Sequence, residues 1–180
     1  MTGNLTYITG DATRPTFEGP KIIAHGCNTV GAWGAGFVMA ISARWSKPCD
    51  EYLKNQDLGM NKLGSVHFVQ VEDDIWVANM ITQSGIYSTA NPRPLNYEAV
   101  EDCLEFLALH AKNLKATIHM PRIGTGLAKG RWDEIEDRIQ QKLCRTGIDV
   151  FVYDLPPSGI SVPAVEPPKK QRKKKTALQD

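Results

Sequence analysis

The chain has 180 residues, 42% hydrophobic and 23% charged, with 21 basic and 20 acidic side chains and a net charge of +1. That is the composition of a soluble globular domain long enough for a substantial core. No apolar run approaches the roughly 18 residues of a membrane span and no basic-then-apolar leader opens the chain, so a cytoplasmic protein without membrane contact is expected. Cys27, Cys49, Cys103 and Cys144 are scattered without C-x-x-C pairs, which indicates neither a zinc site nor a disulfide framework. No metal and no cofactor are expected.

Residues 5–9 read as a first strand ending at Gly10-Asp11, and residues 22–25 as a second. A glycine-rich loop follows, and a helix from Phe37 to about Arg44 or Trp45, with Phe37, Met39 or Ala40, Ile41 and Ala43 on its inner side. Pro48 opens another short helix through Lys54. Residues 65–71 alternate, Glu72-Asp73-Asp74 turns the chain, and residues 75–81 return as a hairpin. Asn96 caps a long amphipathic helix over residues 97–112, with Glu98, Glu101 and Asp102 near its start and Val100, Leu104 and Leu107 on one face. A strand over 116–120, a helix from Arg131 or Trp132 to Leu143 and a last strand over 149–153 complete the body. Strands alternating with helices after a hairpin imply a three-layer α/β/α sandwich with a mixed central sheet.

Residues 156–180 differ in kind. They are rich in proline and end in Lys169, Lys170, Arg172, Lys173, Lys174 and Lys175, which leaves residues 1–155 with 15 basic and 18 acidic groups, a net of −3. A folded domain over 1–155 and a disordered basic tail over 156–180 are expected. The tail is a solubilising segment, a weak polyanion binder, or a nuclear-import signal in a eukaryotic host.

Two glycine turns carry the functional signal. In Gly31-Ala32-Trp33-Gly34-Ala35-Gly36 the chain passes from a strand to a helix, where unpaired backbone N–H groups and the helix dipole accept an anion. The spacing is neither the dinucleotide fingerprint nor a Walker A loop, so this turn alone is equally a packing turn. A second turn, Gly124-Thr125-Gly126, again leads from an apolar strand toward a helix. Facing one another across the C-terminal edge of a sheet, the two would hold a diphosphate.

The set Thr9-Gly10-Asp11, Ile23-Ala24-His25-Gly26-Cys27-Asn28, Gly34-Ala35-Gly36 and Met120-Pro121-Arg122-Ile123-Gly124-Thr125-Gly126 resembles the macrodomain family of ADP-ribose-binding modules. Within it the likeness is to the branch of terminal ADP-ribose glycohydrolases and ADP-ribose 1″-phosphate phosphatases, and it covers roughly residues 3–155. The resemblance implies ADP-ribose, free or attached to protein or nucleic acid, as the partner. It places Asp11 against the adenine amino group beside Ala12, although Gly10-Asp11 also suits a plain turn. Gly34, Ala35 and Gly36 would meet one phosphate, and Ile123, Gly124, Thr125, Gly126 and Leu127 the other. A Cβ at Gly124 or Gly126 is expected to intrude on the diphosphate. Tyr153 supports the adenine or belongs to the core. Asn28 bonds the distal ribose or its own loop, and Trp33 walls that sugar or anchors the loop.

In the glycohydrolases of that branch a lysine attacks the sugar carbon and an aspartate assists. Here Gln83 and Ala128 fall at those positions, and neither an amide nor a methyl supplies that chemistry. Asn28 and Gln83 are then the candidate catalytic residues, placing a water for attack. Cys27 would need a nearby base to serve as a nucleophile, and His25 and His119 read as packed histidines. The expected activity is hydrolysis of ADP-ribosyl esters on acidic side chains, with a non-catalytic reader or a 1″-phosphate phosphatase as alternatives.

Overall fold

The computed structural model describes residues 1–157, so the basic segment, apart from Pro156 and Pro157, lies outside the described residues. Six strands form one sheet in the order β1-β6-β5-β2-β4-β3. They are β1 (Leu5–Thr9), β2 (Lys21–Asn28), β3 (Val66–Glu72), β4 (Ile75–Gln83), β5 (Thr117–Pro121) and β6 (Val150–Asp154). All neighbours run parallel except the β3/β4 hairpin. The helices are α1 (Phe37–Ser42), α2 (Lys47–Asp57), α3 (Tyr97–Leu114) and α4 (Trp132–Lys142).

The sheet is covered on both faces, and the two-residue period of a strand divides its apolar side chains between them. Ile22 and Ala24 of β2, Ala78 and Met80 of β4, and Ile118, Met120, Val150 and Val152 pack with Val100, Leu104 and Leu107 of α3 and Ile135 and Ile139 of α4. On the other face Ile23 and Val77 meet Ile41 of α1, and Cys27 and Ile81 meet Tyr52 of α2. This is the three-layer α/β/α sandwich with a mixed sheet.

Two boundaries differ from the sequence reading in ways that shape the site. β2 continues through Gly26 and Cys27 to Asn28, because it keeps pairing with β4 as far as Gln83, with a register shift after Cys27. Helix α1 has only six residues, ends at Ser42 and buries Val38 and Ile41, while Met39 is exposed. A dipole of one and a half turns is small, so the first turn must act through individual N–H groups.

Helix α3 starts where its cap residue requires. The Asn96 side chain accepts from the Ala99 N–H at 2.9 Å, and Glu98 lies in the first turn. We expect Asn96→Ala to cost about 1 kcal/mol in a urea unfolding experiment, with no loss of helical signal in the native baseline.

Candidate functional site

The cleft arises where two strands part. β2 and β5 pair only at Lys21↔Thr117, Ile22↔Ile118 and Ile23↔His119. Beyond that point their C-terminal ends diverge, and the chain leaves β2 toward one side of the sheet and β5 toward the other. Such a switch point in a largely parallel sheet leaves a crevice beyond the strand ends. Here the crevice is a cleft of about 570 Å³ whose lining includes His25 to Asn28, Gly34 to Val38, Gln83, Ile86, Tyr87 and residues 121–128.

Both glycine turns line it. Among the described residues, the backbone N–H groups of residues 34–38 and 124–128 donate to no protein acceptor. Two rows of unpaired donors therefore belong to residues that line one cleft, an arrangement suited to an anion with oxygens on two centres. The second turn holds its shape through Thr125 Oγ1, which donates to the Arg122 carbonyl at 2.8 Å, and through the Gly130 N–H, which donates to the Gly124 carbonyl at 2.7 Å. Ile123 lines the cleft, but its N–H is taken by the Pro121 carbonyl at 2.7 Å. Leu127, 54% exposed, reaches toward the first turn, where a Cβ on Gly36 would stand 3.7 Å from its Cδ1.

The two glycines expected to clear the diphosphate do different things. Gly124 has φ +73°, and a Cβ there would point away from the cleft toward Leu95 Cδ1 at 2.9 Å and Ile135 Cδ1 at 3.1 Å. It is required by the backbone and the core, which corrects the expectation of a clash with ligand. A Cβ on Gly126 meets nothing within 4 Å.

Asn28 lines the cleft, yet its carbonyl oxygen already accepts from the Val30 and Ala32 N–H groups at 3.1 Å and from the Tyr52 hydroxyl at 2.8 Å. Its Nδ2 donates to the Ala32 carbonyl at 2.7 Å, which leaves one amide hydrogen for anything else. Asn28 is thus first the anchor of the loop after β2. Gln83 is less committed: Nε2 donates to the Gly85 carbonyl at 3.1 Å, and its carbonyl oxygen has no protein donor among the described residues.

Trp33 and Tyr153 are turned away from the cleft, and Asp11 and Ala12 stand beside it rather than in its lining. Trp33 turns inward, its ring edge-on to His25 at 5.3 Å and against Tyr52, with Nε1 donating to Ser42 Oγ at 2.8 Å; it does not line the cleft. An indole gains more under the loop, where both ring and N–H find partners, than beside solvent. Tyr153 is 7% exposed and its hydroxyl meets His119 Nδ1 at 2.8 Å, which makes it a core residue of β6. Asp11 and Ala12 lie past the end of β1, outside the cleft lining. There Asp11 Oδ1 accepts from the Thr13 N–H at 2.8 Å and the Thr13 hydroxyl at 2.7 Å.

Cys27 and His25 do not form a nucleophile and base. The sulfur stands 3.9 Å from both ring nitrogens, so it cannot lie along the in-plane lone pair of either. His25 Nε2 donates to the Asn79 carbonyl oxygen at 2.6 Å, while Asn79 Nδ2 donates to the Pro48 carbonyl. Burial, partly opposed by that bond, brings the His25 pKa down to about 4 and pushes the Cys27 thiol up. His119 is likewise held near 3 by burial and then by the Lys21 charge.

Sequence reasoning missed Phe37, Val38, Ile86, Tyr87 and Arg122 as lining residues. The exposed pair Ile86-Tyr87 in an otherwise polar, proline-bearing loop was the available signal. Lys129 has φ +60° and sets its ammonium 4.9 Å from the centre of the Tyr87 ring. Among the described residues the lining contains no lysine and no carboxylate.

No protein-family model matches the sequence. A solved macrodomain protein from Streptomyces coelicolor is 46% identical, with 84% of this chain and 99% of that one covered and a TM-score of 0.74. A Bacteroides thetaiotaomicron structure of unknown function is 45% identical, covers 85% of this chain and 99% of its own, and has a TM-score of 0.82. Human ADP-ribose glycohydrolase OARD1 is 29% identical over 154 residues, which span 84% of this chain and 91% of the human protein. The chain belongs to the macrodomain family.

Two outcomes follow from the site's geometry. Gly124→Ala should lower stability by about 1–2 kcal/mol, the cost of a side chain in left-handed backbone, whereas Gly126→Ala should leave the melting temperature unchanged. Because His25 and His119 stay neutral in the folded state, the unfolded chain binds more protons below its ordinary histidine pKa of 6.5. Stability should therefore fall as the pH drops from about 6.5 toward 4. Denaturation midpoints across that window should decline less steeply for His119→Gln than for the wild type.

Proposed function

We propose that the protein binds ADP-ribose in this cleft and hydrolyses ADP-ribosyl esters, releasing ADP-ribose from modified acidic side chains. The observation that carries the reading is the pair of turns lining one cleft with unpaired N–H groups at residues 34–38 and 124–128. A diphosphate supplies oxygens for both rows, and fixed dipoles hold it without an unpaired cation, the lining residue Arg122 being already bonded to Asp154. Asp11, beyond the end of β1, is assigned to the adenine amino group. The distal ribose then falls toward Asn28 and Gln83.

A water accepting from the remaining Asn28 amide hydrogen and donating to the Gln83 carbonyl oxygen would face the anomeric carbon. As its oxygen forms the new bond, the bond from that carbon to the ester oxygen breaks and the side-chain carboxylate leaves with the electron pair. The water's proton passes to a diphosphate oxygen, and the neighbouring negative charge favours the cation-like sugar of the transition state. No lysine adduct is involved. A nucleic-acid acceptor would leave by the same bond cleavage. A non-catalytic reader is the second reading, favoured by a lining without a free base: His25 is bonded through Nε2 and resists protonation.

The test is incubation with a peptide ADP-ribosylated on glutamate, chromatographic separation of free from attached ADP-ribose, and calorimetry on the same protein. Release should occur, and Gln83→Ala should slow it roughly tenfold or more while ADP-ribose still binds. Gly126→Glu should abolish binding at an unchanged melting temperature. Tight binding without release would instead establish the reader, and equal affinity of wild type and Gly126→Glu would remove the phosphate assignment.

A further inference from the structure

Arg122 opens the second glycine turn, but its side chain leaves the turn and runs to the end of β6. Nε and Nη2 donate to the two oxygens of Asp154 at 2.6 and 2.8 Å, a bidentate pair. The guanidinium carbon stands 4.9 Å from the Tyr7 ring centre and 5.4 Å from that of Trp132, and Trp132 Nε1 donates to the Tyr7 hydroxyl at 2.8 Å. One planar cation is therefore held by β1, β6 and the start of α4 together. The Arg122 contact keeps the Asp154 carboxyl below the usual carboxylate range.

The same pair continues, past the last paired residues, the link that β6 makes between two parts of the site: β1 pairs with β6 as far as Thr9↔Asp154 and β5 as far as Pro121↔Tyr153, and the chain beyond each of these ends is no longer held by a strand. The Asp154 carbonyl accepts from the Gly10 N–H at 2.8 Å, and the residue after Gly10 is Asp11. The Arg122 carbonyl accepts from the Thr125 hydroxyl at 2.8 Å, inside the turn that offers its N–H groups. A continuous path thus runs from Asp11 through Gly10, Asp154 and Arg122 to Thr125. Arg122 and Asp154 are only partly covered, with side chains 39% and 44% exposed. A pair this open adds only modestly to global stability, and its two-point geometry fixes the direction of both side chains.

We propose that the Arg122–Asp154 pair is a positioning device that sets the distance between the adenine acid, Asp11, and the diphosphate turn, and so determines how well the cleft distinguishes adenine from other bases. This rests on the reading of the cleft as the ADP-ribose site. A ligand anchored by its diphosphate reaches Asp11 only if the turn and the Gly10-Asp11 corner keep a fixed separation. Hydrogen bonding to an exocyclic amine tolerates displacements of a few tenths of an ångström and no more. Lysine retains the charge at position 122 but cannot span both carboxylate oxygens in one plane.

The experiment is calorimetric titration of the full chain with ADP-ribose and with its hypoxanthine counterpart, for the wild type, Arg122→Lys, Asp154→Asn and the double variant. The wild type should prefer ADP-ribose. In each single variant that preference should fall by about tenfold, with the melting temperature nearly unchanged and both ligands still bound through the diphosphate. In the double variant it should fall no further, since both changes break one pair. Full preference in the folded single variants, or losses that multiply in the double, would overturn the inference, as would a wild type that binds both ligands equally. If Asp154→Asn does not fold, Arg122→Lys alone decides. A wild type that binds neither ligand would overturn the reading of the cleft itself, and this inference with it.

Discussion

The parting of β2 from β5 is the constraint on which the rest depends. Three paired residues, Lys21 to Ile23 against Thr117 to His119, hold the strands together at one end, and at the other they separate around the cleft. The closed end is pinned by a buried lysine: Lys21 Nζ donates to the carbonyls of Phe17 and Gly19 at 2.8 and 2.7 Å and to Asp74 at 2.5 Å. An ammonium in that position must be fully satisfied, so it draws the loop before β2 and the β3/β4 turn to one point. The open end is pinned differently, by Asn28, whose amide holds the following loop while Tyr52 holds Asn28 from α2. A strand gap fixed at both ends cannot close on itself, and the N–H groups along its rim remain free for a ligand.

Those donors belong to the backbone, and this decides the electrostatics of the site. The polar side chains nearest the cleft floor are neutral, with His25 tied to Asn79 and the Cys27 thiol undissociated. Charge is kept at the rim. Residues 84–95 and 121–131 contain Arg93, Arg122, Lys129 and Arg131 without a single Asp or Glu, and residues 29–36 have no charged side chain at all. Two of these cations are already balanced, Arg122 by Asp154 and Arg131 by Asp133. An anion entering the cleft therefore meets oriented dipoles inside and a modestly positive surround, a combination that binds diphosphate without first breaking an internal ion pair.

Much of this was legible before any coordinates. Short apolar runs, and alternation over residues 65–71, located all six strands, Asn96 marked the start of α3, and two glycine turns after apolar strands marked the loops that line the cleft. Where the reading slipped, a tertiary partner had taken over a residue whose local pattern allowed two fates. Trp33 looked like a wall for a sugar, and Ser42, His25 and Tyr52 turned it inward. Tyr153 suited either the adenine or the core, and a buried histidine from the neighbouring strand claimed its hydroxyl. Asn28 was recognised as polar and near the site, but its carbonyl oxygen had three donors waiting in a loop and a helix that the sequence does not rank.

By itself, then, the sequence determined the order of elements, the mixed sheet and the two donor loops, because period, caps and glycines act over a few residues. Only the tertiary structure decided the direction of each side chain around the cleft. Gly124 shows why. Its need for glycine is visible in the sequence, yet the reason is a left-handed backbone facing Leu95 and Ile135 rather than a ligand. The pairing of Arg122 with Asp154, 32 positions apart, is of the same kind. No local rule links two such residues; they meet because parallel β5 and β6 end side by side, and the chain between them must fold before either has a partner.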